Sequence, residues 1–260
     1  MNDWILYDVQ DKIATVTINR PEKRNAMTYQ MLFDFIETMA RAGADDRARV
    51  VILTGTAGAF CAGTDLSDLE TVPGASRGLR GSAEQKSHWW PIVACPKPVI
   101  GAIDGPAVGM GAEFTSQCDI RLASTRARFA WNFAHRGLVP DTGAGSWLLP
   151  RLIGTSQAFW LLYSGEFISA EEALALNYVS AVVEPEALLG EAQRRAEKIL
   201  QGSPFSHQRM KALVYEGLGI DVSQHMANHT KALAECFKSA DHKEGVASFL
   251  ERRPAIFTGQ

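Results

Sequence analysis

Two glycine-containing segments, each placed just after an apolar run, could bind a negatively charged oxygen atom. Residues 59–66 (AFCAGTDL) follow the apolar run 50–53, and residues 106–113 (PAVGMGAE) follow the apolar run 99–103. Glycine lets a backbone approach a ligand closely, and the first N–H groups of a helix have no partner inside the helix. Two such turns that face one point would form an oxyanion hole for a carbonyl that becomes an enolate.

The same glycines have two other interpretations. A glycine pair near the end of a strand is most often a plain turn. A dinucleotide-binding loop would need the order G-x-G-x-x-G, whereas the glycines here are Gly105, Gly109 and Gly111, with no suitably placed acidic partner for a ribose. The spacing alone therefore leaves the plain turn and the oxyanion hole open.

Glu113 is the charged side chain of the second glycine segment, and its neighbours are small or apolar. Burial among them would raise the pKa of Glu113 toward the range of a general base. The alternative is a glutamate in the first turn of a helix, where the helix dipole favours a negative charge.

The elements that must position these residues follow from hydrophobic periodicity. Alternation in residues 13–18 predicts a strand, and apolar positions at helical spacing predict a helix in residues 27–41 with Thr28 as N-cap. The continuous apolar runs 50–53 and 99–103 predict strands that are buried on both faces. Residues 120–123 predict another short strand, and the glycine-rich stretch 70–81 predicts a loop.

The second half of the chain is predicted to be mainly helical. A strand-like stretch at residues 178–183 interrupts a series of helical patterns at residues 156–163, 170–176, 185–201, 204–218, 221–239 and 241–253.

Composition limits the class of protein. The chain has 260 residues, 46% hydrophobic and 21% charged, with a net charge of -3, so a surface devoted to nucleic acid is not expected. Its four cysteines lack paired metal-ligand spacing and are expected to be reduced thiols without a metal. Neither a signal peptide nor an apolar stretch of about 20 residues is visible, so we expect no membrane contact and a cytoplasmic location.

Several motifs in sequence order resemble the crotonase, or enoyl-CoA hydratase/isomerase, superfamily. They are the two glycine segments together with residues 18–26 (INRPEKRNA), 118–120 (CDI), 137–141 (GLVPD) and 244–253 (EGVASFLERR). The resemblance spans nearly the whole chain. It implies an α/β fold, a crotonase-type spiral of β-β-α units in residues 1–200. It also implies a helical C-terminal region, residues 201–260, for oligomerisation and coenzyme A contact, in a homotrimer or a dimer of trimers.

The resemblance also implies roles for individual residues. The oxyanion-hole N–H groups would be those of Thr64 and Met110, although the family often has glycine where Met110 stands. Coenzyme A would be bound by Lys23, Arg24, Ala26, Ala62, Asp65, Leu66, Phe249 and Arg252. Without the family, the basic residues of this set would be ordinary solvated surface charges.

The family pattern leaves the reaction open between hydration and isomerisation. Glu113 matches a catalytic glutamate of the hydratases, but Phe133 stands where these enzymes usually have a second glutamate. Asp141 lies where some isomerase-like members place an acid; alternatively, it is a turn aspartate that bonds its own backbone. Hydration of a 2-enoyl-CoA is the first expectation, and a double-bond or ring isomerase that uses Glu113 and Asp141 is the alternative.

Aromatic residues are the candidates for an acyl pocket. Trp89, Trp90, Trp131 and Phe133 could shape a site for a bulky or ring-containing acyl chain, although buried aromatics are more often only core. The expected partner is an acyl-CoA substrate, with no separate cofactor because coenzyme A is part of the substrate.

Two more distant interpretations remain. The first is a serine peptidase related to the Clp protease, for which the candidate residues are Ser116, Ser124 and Ser146 with His88 and His135. None of these serines stands in a recognisable nucleophile turn, so this interpretation is disfavoured. A non-catalytic RNA-binding homologue is the other, because fold alone does not fix function.

Overall fold

The computed structural model describes residues 3–65 and 90–260. The predicted loop at residues 70–81 and the predicted roles of Leu66, His88 and Trp89 lie outside the described residues.

A six-stranded sheet in the order β1-β2-β3-β4-β6-β9 forms the framework of the molecule. Its strands are β1 (Ile5–Gln10), β2 (Ile13–Ile18), β3 (Val50–Gly55), β4 (Val99–Ile103), β6 (Ile120–Ser124) and β9 (Ala181–Val183). β1 pairs antiparallel with β2, and all the other pairs are parallel. Parallel strands place their carboxyl ends at the same edge, so the segments that follow β3 and β4 leave the sheet side by side.

A smaller sheet of three strands stands beside the carboxyl end of β4. It consists of β5 (Pro106–Val108), β7 (Arg128–Ala130) and β8 (Ile168–Ser169), in the order β5-β7-β8. The β-strand at the start of the second glycine segment was not predicted, because three residues with two small side chains give no periodic signal.

The predicted helices are present with ends that differ by a few residues, whereas the short helices Pro91–Ala94, Ala144–Trp147 and Leu149–Ile153 were not predicted. The helices are α1 (Tyr29–Ala44), α2 (Pro91–Ala94), α3 (Met110–Gln117), α4 (Ala144–Trp147), α5 (Leu149–Ile153), α6 (Thr155–Ser164), α7 (Ala170–Ala175), α8 (Leu188–Leu200), α9 (Pro204–Gly217), α10 (Val222–Lys238) and α11 (Ala240–Glu251). Thr28 is the N-cap of α1, as predicted, and its hydroxyl accepts a hydrogen bond from Met31 N at 3.2 Å.

The predicted strand at residues 178–183 is wrong in its first half, since β9 includes only Ala181–Val183. Tyr178 and Val179 are apolar enough to suggest a strand, but they lie in the turn after α7 and are buried there. The Tyr178 ring packs edge-on against Phe129 and Trp131. Tertiary packing of an aromatic side chain, and not strand pairing, explains the apolar character of this stretch.

Helices cover both faces of the large sheet. One buried cluster lies under α8, where Leu188, Ala192 and Ala196 pack on side chains from β2, β3, β4 and β6. The larger cluster, on the opposite face, includes Met31, Phe35 and Met39 of α1 and Phe114 of α3. Strands β3 and β4 are therefore buried on both faces, as their continuous apolar sequence predicts.

The last three helices attach to this core through a buried ion pair. Lys211 of α9 lies 2.8 Å from Asp119, the residue before β6, and donates to the carbonyl oxygens of Ile92 and Lys97. Tyr215 also donates to Asp119 at 2.9 Å. The division of the chain at residue 200 stays a prediction. Within the described ranges, no helix is long and apolar enough to cross a membrane.

Candidate active site

The two glycine segments lie against each other, although 40 residues and more separate them in sequence. Cys61 and Ala107 form a parallel β-bridge. The Pro106 carbonyl accepts from the amides of Phe60 and Cys61, both at 3.1 Å, and Val108 N donates back to the Cys61 carbonyl at 2.9 Å. The geometry predicted from the two strand ends is therefore present: both segments reach one place at the carboxyl edge of the sheet.

Gly63 is the point of closest approach between the segments. Its φ angle is +96°, and a β-carbon added there would lie 2.8 Å from Val108 O and 3.8 Å from Met110 N. A side chain would be strained by the backbone angle and would collide with a main-chain oxygen. Only glycine at position 63 therefore lets the first segment lie this close to Val108 in the second segment.

The amides of Thr64 and Met110 are available as donors. Thr64 forms a parallel β-bridge with Met27, in which Met27 N donates to Gly63 O and Asp65 N donates to Met27 O, both at 2.8 Å. These hydrogen bonds use groups of Gly63 and Asp65, so they leave the Thr64 amide unused. Gly109, with φ +53°, is the N-cap of α3. In residues 3–65 and 90–260, neither the Thr64 nor the Met110 amide donates to a carbonyl or side-chain oxygen. Two free amides on adjacent segments meet the requirement for an oxyanion hole.

The loop between β2 and α1 is fastened to the first glycine segment by Asn25. This residue is fully buried, and its side-chain amide donates to Thr56 O at 3.0 Å and to Ala59 O at 2.6 Å. Its Oδ1 accepts from Arg20 N at 2.7 Å. The sequence analysis did not single out Asn25. Its φ of +60°, which asparagine tolerates better than most residues, gives the loop its turn.

The structure brings five predicted coenzyme A residues together beside this loop. The Ala62 amide donates to the Arg24 carbonyl at 3.1 Å, and the Asp65 carboxylate accepts from Arg20 at 2.7 Å. Lys23 and Arg24 are exposed, and Ala26 is half-buried. Phe249 and Arg252 belong to a different part of the surface, at the end of α11, and Phe249 is 83% exposed.

Glu113 lies in the first turn of α3 and is fully buried. The hydroxyl of Thr142 donates to Glu113 Oε2 at 2.8 Å, while Oε1 has no hydrogen-bond partner among the described residues. The pKa of Glu113 is raised from 4.5 to about 7. Burial is the largest cause and the nearby Asp141 charge adds to it, while the Gly145 and Ala144 amides and the Thr142 hydroxyl oppose the change. A carboxyl with this pKa is suited to proton transfer near neutral pH.

Asp141 is a second acid near Glu113; the residue is half-buried, and its Oδ1 atom is buried. Burial raises the pKa of Asp141 from 3.8 to about 6, against the opposing effect of backbone amides and the Thr64 side chain. Its Oδ1 also lacks a hydrogen-bond partner within the part of the chain that the structure describes. The Asp141 charge acts on Glu113, and its carboxyl lies beside Thr64. The two carboxyls therefore converge near one of the predicted oxyanion donors.

Thr142 was not predicted as a site residue, and it is bonded to Trp90, which was predicted only as a candidate for the acyl pocket. The Trp90 indole N–H donates to the Thr142 carbonyl at 2.8 Å, and the Ala144 amide donates to the Thr142 hydroxyl at 3.3 Å. Both contacts fix the turn that contains Asp141. The adjacency of Thr142 to Asp141 is the only sequence signal that could have suggested it, because nothing in sequence relates Thr142 to Glu113, 29 positions away.

Phe133 and Trp131, two of the aromatic residues predicted for an acyl pocket, have different surroundings. The Phe133 ring lies 3.8 Å from the position of a β-carbon on Gly109, so it covers the start of α3. Trp131 is completely buried, and its ring packs edge-on against Tyr178.

The described residues include no group of three or more histidine, cysteine or acidic side chains that could hold a metal ion.

The site thus combines two amides that have no acceptor among the described residues with two interacting carboxyls, one buried and one half-buried. This combination is suited to stabilising an enolate and moving a proton to or from it. Comparison with known proteins gives the same class. Residues 8–260 match the family model of enoyl-CoA hydratase/isomerase. The chain belongs to the enoyl-CoA hydratase/isomerase family, and the fold and enzyme class implied by the resemblance are confirmed.

Individual relatives span several activities. The chain is 34% identical to a crotonyl-CoA hydratase of Syntrophomonas wolfei, with 97% of each chain covered. It is 35% identical to a 1,2-epoxyphenylacetyl-CoA isomerase of Escherichia coli over the full length of both. Among solved structures, an enoyl-CoA hydratase from Bacillus anthracis superposes with a TM-score of 0.91 at 29% identity, with 99% of this chain and 100% of that chain covered.

Proposed function

We propose that the protein hydrates a 2-enoyl-CoA thioester, with Glu113 and Asp141 as the two acid–base groups. One observation carries this proposal: two carboxyls interact beside Thr64, and each has a buried oxygen without a hydrogen-bond partner among the described residues. Unpaired buried carboxyl oxygens are costly unless a ligand or water pairs with them. A water molecule between the two carboxyls would satisfy both.

The pKa values of the pair fit the chemistry. With values raised to about 7 for Glu113 and about 6 for Asp141, the pair holds on average one proton midway between the two values, in slightly acidic solution. Hydration needs a base that takes a proton from water as oxygen bonds to the β-carbon, and an acid that gives a proton to the α-carbon. The Thr64 and Met110 amides would stabilise the negative charge on the thioester oxygen between these two events.

In this proposal Asp141 performs the task of the second glutamate of hydratases. Phe133 stands at that position, and its ring, which covers Gly109, has no group that could activate water. Asp141, eight positions later in sequence, lies before α4 and is close enough for its charge to act on Glu113. The second carboxyl is therefore supplied by a different part of the chain.

Isomerisation is the second candidate, and Phe133 is the observation that favours it. An apolar ring beside the enolate oxygen excludes water from that side, and moving a double bond requires only a base that removes a proton from one carbon and returns it to another. A relative that is 35% identical over its full length is named a 1,2-epoxyphenylacetyl-CoA isomerase, which is consistent with this second candidate.

We also propose that the acyl-CoA nucleotide lies along Lys23, Arg24, Ala26, Ala62 and Asp65, which are contiguous with Thr64. The chain is proposed to form a homotrimer or a dimer of trimers in the cytoplasm, with no cofactor beyond the coenzyme A of its substrate. Exposed apolar side chains on α11, including Phe249 and Leu250, support the proposed self-association.

Absorbance of the conjugated thioester tests the reaction. Hydration of a 2-enoyl-CoA lowers this absorbance, whereas isomerisation of a 3-enoyl-CoA raises it. We expect the first signal with the wild-type protein, and its loss in both Glu113→Gln and Asp141→Asn. A wild-type protein that shows only the second signal would establish the isomerase. An Asp141→Asn variant that hydrates as fast as wild type would refute the role of Asp141.

A further inference from the structure

We infer that Thr142 is a positioning residue that assigns different tasks to the two oxygens of Glu113, so that Oε2 always accepts a hydrogen bond and Oε1 takes and releases the proton. This inference concerns the same site and rests on the proposed function of Glu113. It adds a residue that neither the sequence motifs nor the family pattern above brought forward.

The direction of the hydrogen bonds supports this division. A threonine hydroxyl has one proton to donate, and the Thr142 hydroxyl already accepts from the Ala144 amide at 3.3 Å. Among the described residues, Glu113 Oε2 is the acceptor for the Thr142 proton, at 2.8 Å. An oxygen that accepts this bond is either a carboxylate oxygen or the carbonyl oxygen of the neutral acid. In both protonation states, the proton of Glu113 therefore belongs on Oε1.

The position of Thr142 is itself fixed. Thr142 is 9% exposed, and its carbonyl accepts a hydrogen bond from the Trp90 indole N–H at 2.8 Å. Trp90 immediately precedes α2, so the turn that contains Thr142 is bonded to a separate element of the fold. The Ala144 amide bonds the Thr142 hydroxyl, and the Trp90 indole bonds the Thr142 carbonyl. Because the residue is already fixed at both groups, its side chain loses little further freedom when it binds Glu113.

Oε1 is placed by the absence of a side chain at Gly145. A β-carbon at this position would overlap Glu113 Oε1, so Oε1 lies against the α-carbon of Gly145. The Gly145 amide lowers the pKa of the carboxyl, but Oε1 completes no hydrogen bond in the ranges that the structure covers. Each hydrogen bond to a carboxylate oxygen stabilises its negative charge, so the oxygen without one is the more basic of the two. Burial, charge and packing thus agree on Oε1 as the site of the proton.

The variant Thr142→Val removes the hydroxyl and keeps the branched shape, and Thr142→Ser is the matched control that keeps the hydroxyl. Loss of a hydrogen bond to the charged form raises the pKa of a carboxyl, by about one unit for a charge-assisted bond. We expect the Glu113 ionisation in the pH profile of kcat to move up by about one pH unit in Thr142→Val, with KM for the thioester changed less than twofold. Thr142→Ser should keep the wild-type profile.

An infrared titration separates this inference from the proposed function, because it needs no substrate. The carbonyl band of protonated Glu113, assigned by its absence in Glu113→Gln, gives the pKa directly in the wild type and each variant. We expect a higher pKa and a higher band frequency in Thr142→Val, since its carbonyl loses a donor. Thr142→Ala serves as a second variant if valine impairs folding.

An unchanged band and pKa in Thr142→Val or Thr142→Ala would overturn the assignment of Thr142, even in a protein with full hydratase activity. A protein that shows the infrared shift but converts no enoyl-CoA would retain this role for Thr142 and would refute the proposed reaction.

Discussion

Replacing Glu113 by glutamine removes a buried ionisable group while the length and shape of the side chain stay the same. Glu113 is fully buried, and the amide oxygen of the introduced glutamine can accept the Thr142 hydroxyl hydrogen bond that Glu113 Oε2 accepts in the wild type. The expected result has two parts: loss of catalysis, because glutamine cannot accept or return a proton, and a gain in stability that depends on pH.

The size of the stability effect follows from the pKa. Burial raises the pKa of Glu113 from its ordinary value of 4.5 to about 7, so the folded state binds the proton more tightly than the unfolded state does. A group of this kind stabilises the fold below pH 4.5, and that contribution is lost as pH rises toward 7. At about 1.4 kcal/mol for each pKa unit, the loss amounts to about 3 kcal/mol. Glutamine carries no such pH dependence.

Urea unfolding at a fixed protein concentration measures the effect. We expect Glu113→Gln to match the wild type within about 1 kcal/mol at pH 5 and to exceed it by about 3 kcal/mol at pH 8. Turnover should fall by at least about a hundredfold at both pH values, the typical contribution of a general acid or base. If the difference in unfolding free energy is the same at pH 5 and pH 8, Glu113 does not have a raised pKa in the folded protein, and the reasoning fails.

Three further substitutions test the framework around the site. Gly63→Ala should abolish turnover, because its β-carbon would collide with Val108 O, whereas Gly190→Ala, where a β-carbon meets nothing, should leave turnover unchanged in the same assay. Asn25→Ala should lower the free energy of unfolding by about 3 kcal/mol in urea titration, since it leaves two buried carbonyls and an amide unpaired; a loss below about 1 kcal/mol would contradict this. Phe133→Glu should increase the ratio of hydration to isomerisation in the absorbance assays, and an equal change in Phe133→Gln would show that the charge is not responsible.

Much of the framework could be predicted from the sequence because its signals are local. The continuous apolar sequences of β3 and β4 reflect burial on both faces, and the periodicity of α1 reflects one buried face. The same reasoning failed for the stretch at Tyr178, where an apolar sequence has a different cause. The short strands of the small sheet were also missed, since two or three residues cannot show a period.

The site was predictable only where a backbone motif defines it. Gly63 and Gly109 are required by positive φ angles at a close approach of two segments, and such a requirement leaves a glycine in the sequence. The partners of Glu113 follow a different rule. Thr142 and Trp90 reach the site through side-chain contacts between elements that are distant in sequence, and neither residue type is unusual where it stands. Contacts of this kind appear only once the chain is folded.

The coupling of Glu113 and Asp141 explains why one site can serve two reactions. Each carboxyl has a pKa raised by burial, and the charge of Asp141 further opposes ionisation of Glu113, so losing one proton makes loss of the second harder. Between the two pKa values, about 6 for Asp141 and about 7 for Glu113, the pair therefore contains one acid and one base. With water between them, an acid and a base perform hydration; with an allylic carbon between them, they relocate a double bond. Under the proposed function, what enters that space would depend on the substrate and on Phe133, whose ring covers Gly109 at the start of α3. The amides would stabilise the enolate in either reaction, and Phe133 would influence which reaction follows.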